Sequence, residues 1–191
     1  DPSICCVTSG CGATNAVTPC LVAYQDSVPV FFISGQVHRN DNIRSFDGKI
    51  RGYFGSDCDI VESVRGITKY AVELTDPRDT LKVLEECYSN LTTGRLGPVW
   101  LSIPVDVQSM QVPDDVEKWT PPEVSYQTSF PKSFVDAWSN AKRPIVLAGN
   151  GIHISKTKEK FKAFMKKHGL PYVVSFFGSD LGDDYIGKTG L

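Results

Sequence analysis

The chain has 191 residues, 41% of them hydrophobic, and a formal net charge of −2. A hydrophobic share of this size is typical of globular proteins and argues against a disordered chain, and no apolar run approaches the roughly 20 residues that a membrane-spanning helix needs. Because Lys and Arg are balanced by Asp and Glu and form no cluster in excess, the sequence does not favour binding of nucleic acid.

A strand, a glycine-containing turn and a helix are predicted at the start of the chain. The run Ile4–Thr8 predicts a strand, and Ser9–Gly12 predicts a turn that opens a helical stretch to about Asp26. Pro19 interrupts that stretch. It either kinks the helix or begins a new one, with Thr18 as the N-cap and Pro19 in the first helical position.

Three further strands follow in the first half of the chain. They are predicted over residues 28–34, 69–74 and 98–103. The continuous apolar character of the first and the last of these runs is typical of strands that are buried on both faces. Residues 35–58 are polar and show no clear period, so no regular element is predicted there.

One helix of this half is well marked. Asp76 and Pro77 predict its N-cap and its first turn, and Gly94 predicts its end. Apolar residues recur between these limits at intervals of three and four, which predicts one buried stripe. The predicted stripe consists of Leu81, Leu84, Tyr88 and Leu91.

A proline-rich stretch separates this half from a second segment with the same alternation. Residues 113–131 hold four prolines and little hydrophobic periodicity, which predicts a connection between domains. Beyond it, helices are predicted over 132–140 and 156–167, and strands over 145–148 and 172–174. Strands that alternate with helices indicate an α/β protein with mainly parallel sheets.

The cysteines favour a reduced protein of the cytoplasm. They form no Cys-x-x-Cys pair, and no histidine stands at the spacing of a zinc site. They lie within apolar runs, where cysteine is predicted to behave as a small buried hydrophobic residue. They are Cys5, Cys6, Cys11, Cys20, Cys58 and Cys87.

The segment Val7–Asn15 is the first candidate for a binding site. A Gly-x-Gly turn, here Gly10-Cys11-Gly12, lets the backbone approach a ligand closely and points free N–H groups toward it. A tight crossover from strand to helix would use the same residues without a ligand. The turn alone leaves both interpretations open.

Further short sequence segments, here called blocks, favour the interpretation of this turn as a binding site. Together with Val7–Asn15 they resemble, in content and order, the pyrimidine-binding domain of the acetolactate-synthase-like, thiamine-diphosphate-dependent enzymes. Arg143–Gly151 resembles, more weakly, the start of the central domain of that family. The blocks that carry the first resemblance are Asp26–Val30, Ile33–Val37, Ile67–Tyr70, Thr93–Val99 and Ile103–Gln108.

The resemblance implies a fold and a domain organisation. Residues 1–112 correspond to the C-terminal part of the pyrimidine-binding domain, 113–130 to a linker and 131–191 to the N-terminal part of a Rossmann-like central domain. Both parts are expected to be three-layer α/β structures with parallel sheets. The glutamate that the family uses in catalysis falls before Asp1, and its magnesium motif falls beyond Leu191. The chain is therefore expected to be a fragment that holds no catalytic residue and is inactive alone.

The resemblance also implies a cofactor and its neighbours. Thiamine diphosphate performs the carbanion chemistry in this family, together with Mg²⁺. The residues expected beside the cofactor are Gly10, Cys11, Gly12 and Asn15, and those expected on the substrate side are Gln36 and Ser56; no metal ligand is expected. A helix cap is the structural alternative for Asn15, and a hydrogen bond that stabilises a loop is the alternative for Gln36.

Three departures from the family matter for function. Cys11 stands where the family has proline, which loosens the turn. Residues 55–57 stand where acetolactate synthases have Phe-Gln-Glu. The loop at this place resembles more that of relatives from sugar and surface-polysaccharide pathways, which also share an insertion like Arg44–Arg51, so the substrate is left open. Ile154 stands where a third glycine would complete a dinucleotide fingerprint. FAD binding is therefore not expected.

The leading hypothesis is an enzyme that makes or breaks C–C bonds next to a carbonyl, on pyruvate or another 2-oxo acid. Such a lyase or transferase is expected to act in the cytoplasm as a homodimer or tetramer, without nucleic-acid or membrane partners. A non-catalytic scaffold or assembly protein built on the same fold is the alternative, because residues 11 and 55–57 differ from the family. A flavin- or nucleotide-binding unit formed by the second segment is a third possibility.

Overall fold

The computed structural model describes residues 2–47, 49–53, 55–116, 118–123, 129–182 and 186–188. The chain divides into two compact units, Asp1–Glu123 and Val124–Leu191. Each unit contains a parallel sheet, so the predicted α/β architecture is confirmed. The division after Glu123 lies inside the predicted connection, of which residues 117 and 124–128 are outside the described residues.

The first unit is built on a sheet of four parallel strands in the order β1-β2-β4-β3. Ser3 pairs with Val30 at the start of β1, and Phe31 pairs with Val99 at the start of β4. All four strands therefore end at the same edge of the sheet. The strands are β1 (Ser3–Val7), β2 (Val30–Gln36), β3 (Tyr70–Glu73) and β4 (Val99–Pro104).

Helices cover both faces of this sheet. Ala13, Cys20 and Val64 pack from the first three helices on the face that holds Phe32 and Trp100. The fourth and fifth helices pack on the opposite face, where Val99 and Leu101 are buried. The helices are α1 (Cys11–Asn15), α2 (Val17–Gln25), α3 (Ile60–Val64), α4 (Thr80–Thr92) and α5 (Val105–Gln108), with 3₁₀ turns at Arg39–Asp41, Ile43–Phe46, Arg65–Ile67 and Pro77–Asp79.

The break near Pro19 differs from both predicted arrangements. The chain interrupts its helix at Ala16, which precedes α2 as its N-cap residue, so the prediction of Thr18 as the N-cap is wrong. Pro19 is the third residue of α2. A proline is tolerated there because the first N–H groups of a helix have no intrahelical partner.

The predicted capping role of Asp76 is confirmed for the 3₁₀ turn before α4, whereas the N-cap residue of α4 itself is Asp79. The side chain of Asp76 accepts a hydrogen bond of 2.9 Å from the backbone N–H of Arg78 and caps the 3₁₀ turn that leads into the helix. The predicted buried stripe of α4 is only partly correct. Leu91 is buried, but Leu84 is 38% and Tyr88 is 60% exposed. Val83 and Cys87 complete the buried stripe instead.

The second unit contains a sheet of three parallel strands in the order β5-β6-β7. Its core joins Ala148, Tyr172 and Val174 of the strands to Met165 of the last helix and to Leu181. The elements are α6 (Lys132–Asn140), β5 (Val146–Ala148), α7 (Gly151–Ile154), α8 (Lys158–His168), β6 (Tyr172–Val174) and β7 (Gly187–Lys188).

All six cysteines lie among the described residues, and all six are free thiols. Cys20 and Cys87 are buried as predicted, and burial raises the pKa of each to about 12. Cys6 and Cys11 are exposed, so the prediction of buried side chains is wrong for these two. In the part of the chain that the structure describes, no helix has the length and apolar character to cross a membrane.

Candidate functional site

A crevice of about 620 Å³ lies where β1, β2 and β4 end. In parallel α/β sheets, ligands bind beyond the carboxyl ends of the strands, and cavities of about 300–1,000 Å³ are typical of small-molecule and cofactor sites. The crevice has apolar walls and a few polar groups. Its lining includes Val7, Thr8, Ser9, Ile33, Gly35, Gln36, Ile103, Val105 and Gln108.

The turn that follows β1 borders this crevice and depends on Gly10. Gly10 has a φ of +55°, a conformation that L side chains rarely adopt. A Cβ atom at this position would lie 2.4 Å from the carbonyl oxygen of Ser56. Glycine is therefore required here by the contact with the main chain of Ser56, and this requirement by itself does not indicate a ligand.

The three other predicted cofactor neighbours lie on the same short helix. A Cβ atom at Gly12 would come within 2.3 Å of Cγ2 of Thr8, so this glycine lets α1 lie close to the end of β1. The side chains of Cys11 and Asn15 are exposed. Asn15 is the last residue of α1, and α2 begins without a side-chain cap, so the interpretation of Asn15 as a helix cap is not supported.

Gln36 ties the end of β2 to the loop of residues 55–58. Its Nε2 donates a hydrogen bond of 2.7 Å to the carbonyl oxygen of Cys58, and its Oε1 accepts one of 2.9 Å from the N–H of Val37. The side chain is buried and also lines the crevice. The geometry supports the loop-stabilising interpretation, and a substrate-side role of Gln36 stays a prediction.

The loop of residues 55–58 brings Ser56 and Asp57 beside the turn. Ser56 is exposed, and its main chain packs against Gly10. Both carboxylate oxygens of Asp57 are buried, and neither has a hydrogen-bond partner among the residues that the structure describes. The sequence pattern identified this loop but assigned no role to Asp57, because only the folded loop shows that this carboxylate is enclosed.

An ion pair clamps the chain after β2 to the start of α5. Nε of Arg39 lies 2.6 Å from Oδ2 of Asp106, and the N–H of Arg39 donates a bond of 3.1 Å to Oδ1. Burial acts to raise the pKa of Asp106, but the hydrogen bonds from Arg39 outweigh it and leave the pKa below its usual value. The block Ile103–Gln108 thus holds an aspartate that stabilises the border of the crevice.

A second ion pair anchors the long polar region at its other end. Arg44 donates hydrogen bonds of 2.9 and 2.7 Å from Nε and Nη2 to the carboxylate of Asp59. Asp59 is also the N-cap of α3 and accepts from the N–H of Glu62. Burial acts to raise the pKa of Asp59, but the bonds from Arg44 and Glu62 prevail and lower it.

A buried polar group lies at the end of β3. Nδ2 of Asn42 donates to both carboxylate oxygens of Glu73, at 3.3 and 3.2 Å, and Oγ of Ser102 lies 3.4 Å from Oε2. Burial raises the pKa of Glu73. These bonds hold the polar region against the sheet, and no part of the sequence pattern predicted them.

Lys69, from the block Ile67–Tyr70, has a structural role. Its Nζ donates a hydrogen bond of 2.6 Å to the carbonyl oxygen of Thr93 and another to that of Asn90. Both carbonyls lie at the C-terminal end of α4, where the last C=O groups lack helical partners. Burial lowers the pKa of Lys69.

The crevice has room for a small ligand, and its described lining is more apolar than polar. Val7, Ile33 and Ile103 provide apolar surface, while Ser9 and Gln108 provide polar atoms. Among the described residues that line the crevice, none is an aspartate, a glutamate or a histidine. Proton transfer by a carboxylate or imidazole would therefore depend on groups other than these.

Comparison with known proteins agrees with this arrangement. Residues 1–63 match the family model described as thiamine pyrophosphate enzyme, N-terminal TPP binding domain. This match covers β1, the turn with Gly10, β2 and the loop of residues 55–58. Most of the residues that line the crevice therefore lie within the matched region, and Ile103, Val105 and Gln108 lie outside it.

The similarity to curated relatives extends over nearly the whole chain. The chain is 32% identical to the acetolactate synthase large subunit of Lactococcus lactis over 188 residues, which is 90% of this chain and 29% of the relative. Identity to the large subunit of Corynebacterium glutamicum is 34%, with 90% of this chain and 27% of the relative covered. Identity to the acetolactate synthase large subunit of Haemophilus influenzae is 33%, with 97% of this chain and 33% of the relative covered. The chain thus spans about a third or less of these relatives, and the predicted resemblance to the acetolactate-synthase-like enzymes is confirmed.

Proposed function

We propose that this chain forms one side of the cofactor site in a thiamine-diphosphate-dependent enzyme that makes or breaks C–C bonds next to a carbonyl. The substrate that we propose is pyruvate or another 2-oxo acid. The observation that carries the proposal is the crevice at the carboxyl ends of β1, β2 and β4, beside the Gly10–Gly12 turn. Its lining residues between Cys6 and Val37 lie in the part of the chain that matches the cofactor-binding family.

The residues of the crevice would bind and orient the cofactor. Thiamine diphosphate, when bound, supplies a carbanion equivalent. The backbone of Gly10, Cys11 and Gly12, with the side chain of Asn15, would border its pyrimidine ring, and the apolar walls would exclude water. Gln36 and Ser56 would border the substrate, where Gln36 holds the loop of residues 55–58 in place.

Further groups complete the proposal. The proton-transfer group, a glutamate in this family, and the residues that hold Mg²⁺ with the diphosphate would lie outside the residues described here. We propose a homodimer or tetramer in the cytoplasm, because the family places its cofactor between two subunits. FAD is not part of the proposed enzyme.

Cofactor binding by the protein at its natural full length tests this proposal. Titration calorimetry with thiamine diphosphate and Mg²⁺ should show saturable binding, and CO₂ release from pyruvate should depend on both. Gly12→Ala should weaken cofactor binding about tenfold or more, about 1.4 kcal/mol, because the added methyl meets Cγ2 of Thr8 and displaces α1 from β1.

Gly66→Ala is the matched control, because a Cβ atom at Gly66 would meet nothing within 4 Å. It should leave the dissociation constant unchanged. Absence of cofactor binding by the unaltered protein would contradict the proposed function.

A scaffold or assembly protein with the same fold is the second candidate. The described lining of the crevice contains no acidic residue or histidine, which a binding protein without catalysis would not need. Cofactor binding without any CO₂ release from a panel of 2-oxo acids would favour this candidate.

A further inference from the structure

The fold brings cysteines that are distant in sequence near each other in two places. In the first place, Cys5 and Cys20 interact electrostatically. In the second place, the same holds for Cys11 and Cys58. All four residues are free thiols. Because oxidation can join two neighbouring thiols, each place is a candidate for a redox modification site.

The first pair is protected from oxidation by burial. Cys20 has no exposed surface, and its Sγ donates a hydrogen bond of 3.6 Å to the carbonyl oxygen of Ile67. Burial raises the pKa of the Cys20 thiol to about 12, and the charge of Cys5 adds to this effect. Since the thiolate is the reactive form of cysteine, the Cys20 thiol is inert at neutral pH.

The second pair lies at the surface and combines two unlike thiols. Cys11, the first residue of α1, is exposed, whereas Cys58 is half-buried just before Asp59, the N-cap of α3. Burial above all raises the pKa of the Cys58 thiol, and the charges of Asp59, Asp57 and Cys11 add to this effect. Cys58 therefore stays a neutral thiol, and an oxidant that arrives from solvent reaches Cys11 first.

Main-chain contacts hold the segments of these two cysteines against each other. A Cβ atom at Gly10, next to Cys11, would lie 2.7 Å from Cα and 2.4 Å from the carbonyl oxygen of Ser56, two residues before Cys58. The carbonyl oxygen of Cys58 accepts a hydrogen bond of 2.7 Å from Nε2 of Gln36. A disulfide requires Cα atoms within about 7 Å of each other, and segments in direct main-chain contact are suited to this requirement.

We propose that Cys11 and Cys58 form a redox modification site, at which a peroxide joins the two thiols in a reversible disulfide. The peroxide oxidises the sulfur of Cys11 to a sulfenic acid, and one oxygen of the peroxide leaves as water. The thiol of Cys58 then attacks this sulfur, the S–O bond breaks, a second water leaves and the S–S bond forms. A dithiol returns both cysteines to thiols by disulfide exchange.

The disulfide would connect a redox signal to the crevice. It would tie the turn that contains Gly10 to the loop of residues 55–58, and Gln36 links that loop to the lining of the crevice. In the cytoplasm that we propose for this protein, the pair is reduced at rest and the disulfide forms only under oxidative conditions. The proposal requires only the two thiols and does not depend on the proposed function.

Peptide mapping of the oxidised protein tests the proposal. The protein at its natural full length, without added thiamine diphosphate so that the turn is uncovered, is treated with hydrogen peroxide and digested without reductant. Mass spectrometry should show the peptides of Cys11 and Cys58 linked, at a mass about 2 Da below the sum of the reduced peptides. Dithiothreitol should separate the two peptides again.

Two variants distinguish this site from unspecific oxidation. Cys11→Ser should abolish the linked peptide and slow the oxidation of Cys58 by about tenfold or more, because the half-buried thiol then lacks its exposed partner. Cys6→Ser is the matched control, because Cys6 is also exposed. It should leave the yield of the linked peptide unchanged.

Three results in the unaltered protein would overturn the proposal, whether or not the variants fold. They are over-oxidation of Cys11 to a sulfinic acid while Cys58 stays a thiol, a disulfide of Cys11 with another cysteine of the chain, and a disulfide between two copies of the chain. The proposed function would stand in each of these cases.

Discussion

Individual side chains of this chain hold together segments that are far apart in sequence. Arg39 and Asp106 are 67 positions apart and form the ion pair that joins the polar region after β2 to α5. The side chain of Asp106 is only 10% exposed. The family block that contains Asp106 could be identified from its residues, but its partner could not, because neither spacing nor composition links it to Arg39.

Asp106→Asn should destabilise the protein by about 1–3 kcal/mol, because it weakens charge-assisted hydrogen bonds at a largely buried site. The pKa of Asp106 is lowered in the folded protein, so its contribution is fully present above the unfolded value of about 3.9 and is lost as the pH falls through the folded pKa. Denaturant unfolding between neutral and acidic pH should show a smaller loss of stability on acidification for the variant.

Asp47→Asn is the matched control for the pH dependence of stability. The ion pair of Asp47 with Lys49 is exposed on both sides, with side chains 83% and 78% accessible. Such surface pairs contribute little, so the variant should follow the unaltered protein at every pH. Equal pH curves for Asp106→Asn and the unaltered protein would show that the clamp does not stabilise the fold.

Helix α4 shows which properties of an element follow from local sequence patterns and which do not. Its existence, the Asp76 cap of the 3₁₀ turn that leads into it and its end near Gly94 were predictable, because capping and helical periodicity are local properties. The side of the helix that is buried could not be predicted from these local properties. Leu81, Leu84, Tyr88 and Leu91 form one apolar stripe, and Val83, Cys87 and Leu91 form another with equally good spacing. The contact with Val99 and Leu101 of β4 decides for the second stripe.

Alanine substitutions on the two stripes test this assignment. Leu91→Ala should cost about 2–5 kcal/mol, because Leu91 is 1% exposed and its removal leaves a cavity. Leu84→Ala should cost about 1 kcal/mol or less, since this side chain is 38% exposed. Urea unfolding of both variants measures the difference, and equal losses would contradict the observed stripe.

At the scale of the whole molecule, each unit exposes apolar side chains that a globular protein ordinarily covers. Ile4 on β1 is 69% exposed, and Leu147 on β5 is 61% exposed. Exposed apolar patches and uncovered strands commonly mark surfaces of association. The described crevice lining holds no acidic residue or histidine.

We expect the chain of 191 residues to associate in solution. Light scattering after size-exclusion chromatography should give a mass above that of the monomer at micromolar concentration. Leu147→Lys should lower that mass, because it places a charge on an exposed apolar strand, whereas Lys132→Arg on the exposed start of α6 should not change it. A monomer of the unaltered chain with cooperative unfolding would contradict this expectation.

The sequence by itself determined the parallel α/β class, most strands and the helices α6 and α8 within two residues, and the family resemblance. The reason is that hydrophobic periodicity and ordered sequence blocks are local properties of the chain. Only the tertiary structure decided which face of α4 is buried, that Gly10 is required by Ser56 and that Gln36 holds the neighbouring loop. It also shows that the carboxylate of Asp57 is enclosed without a hydrogen-bond partner among the described residues. These properties depend on contacts between residues that are distant in sequence, and local patterns carry no information about which distant groups meet.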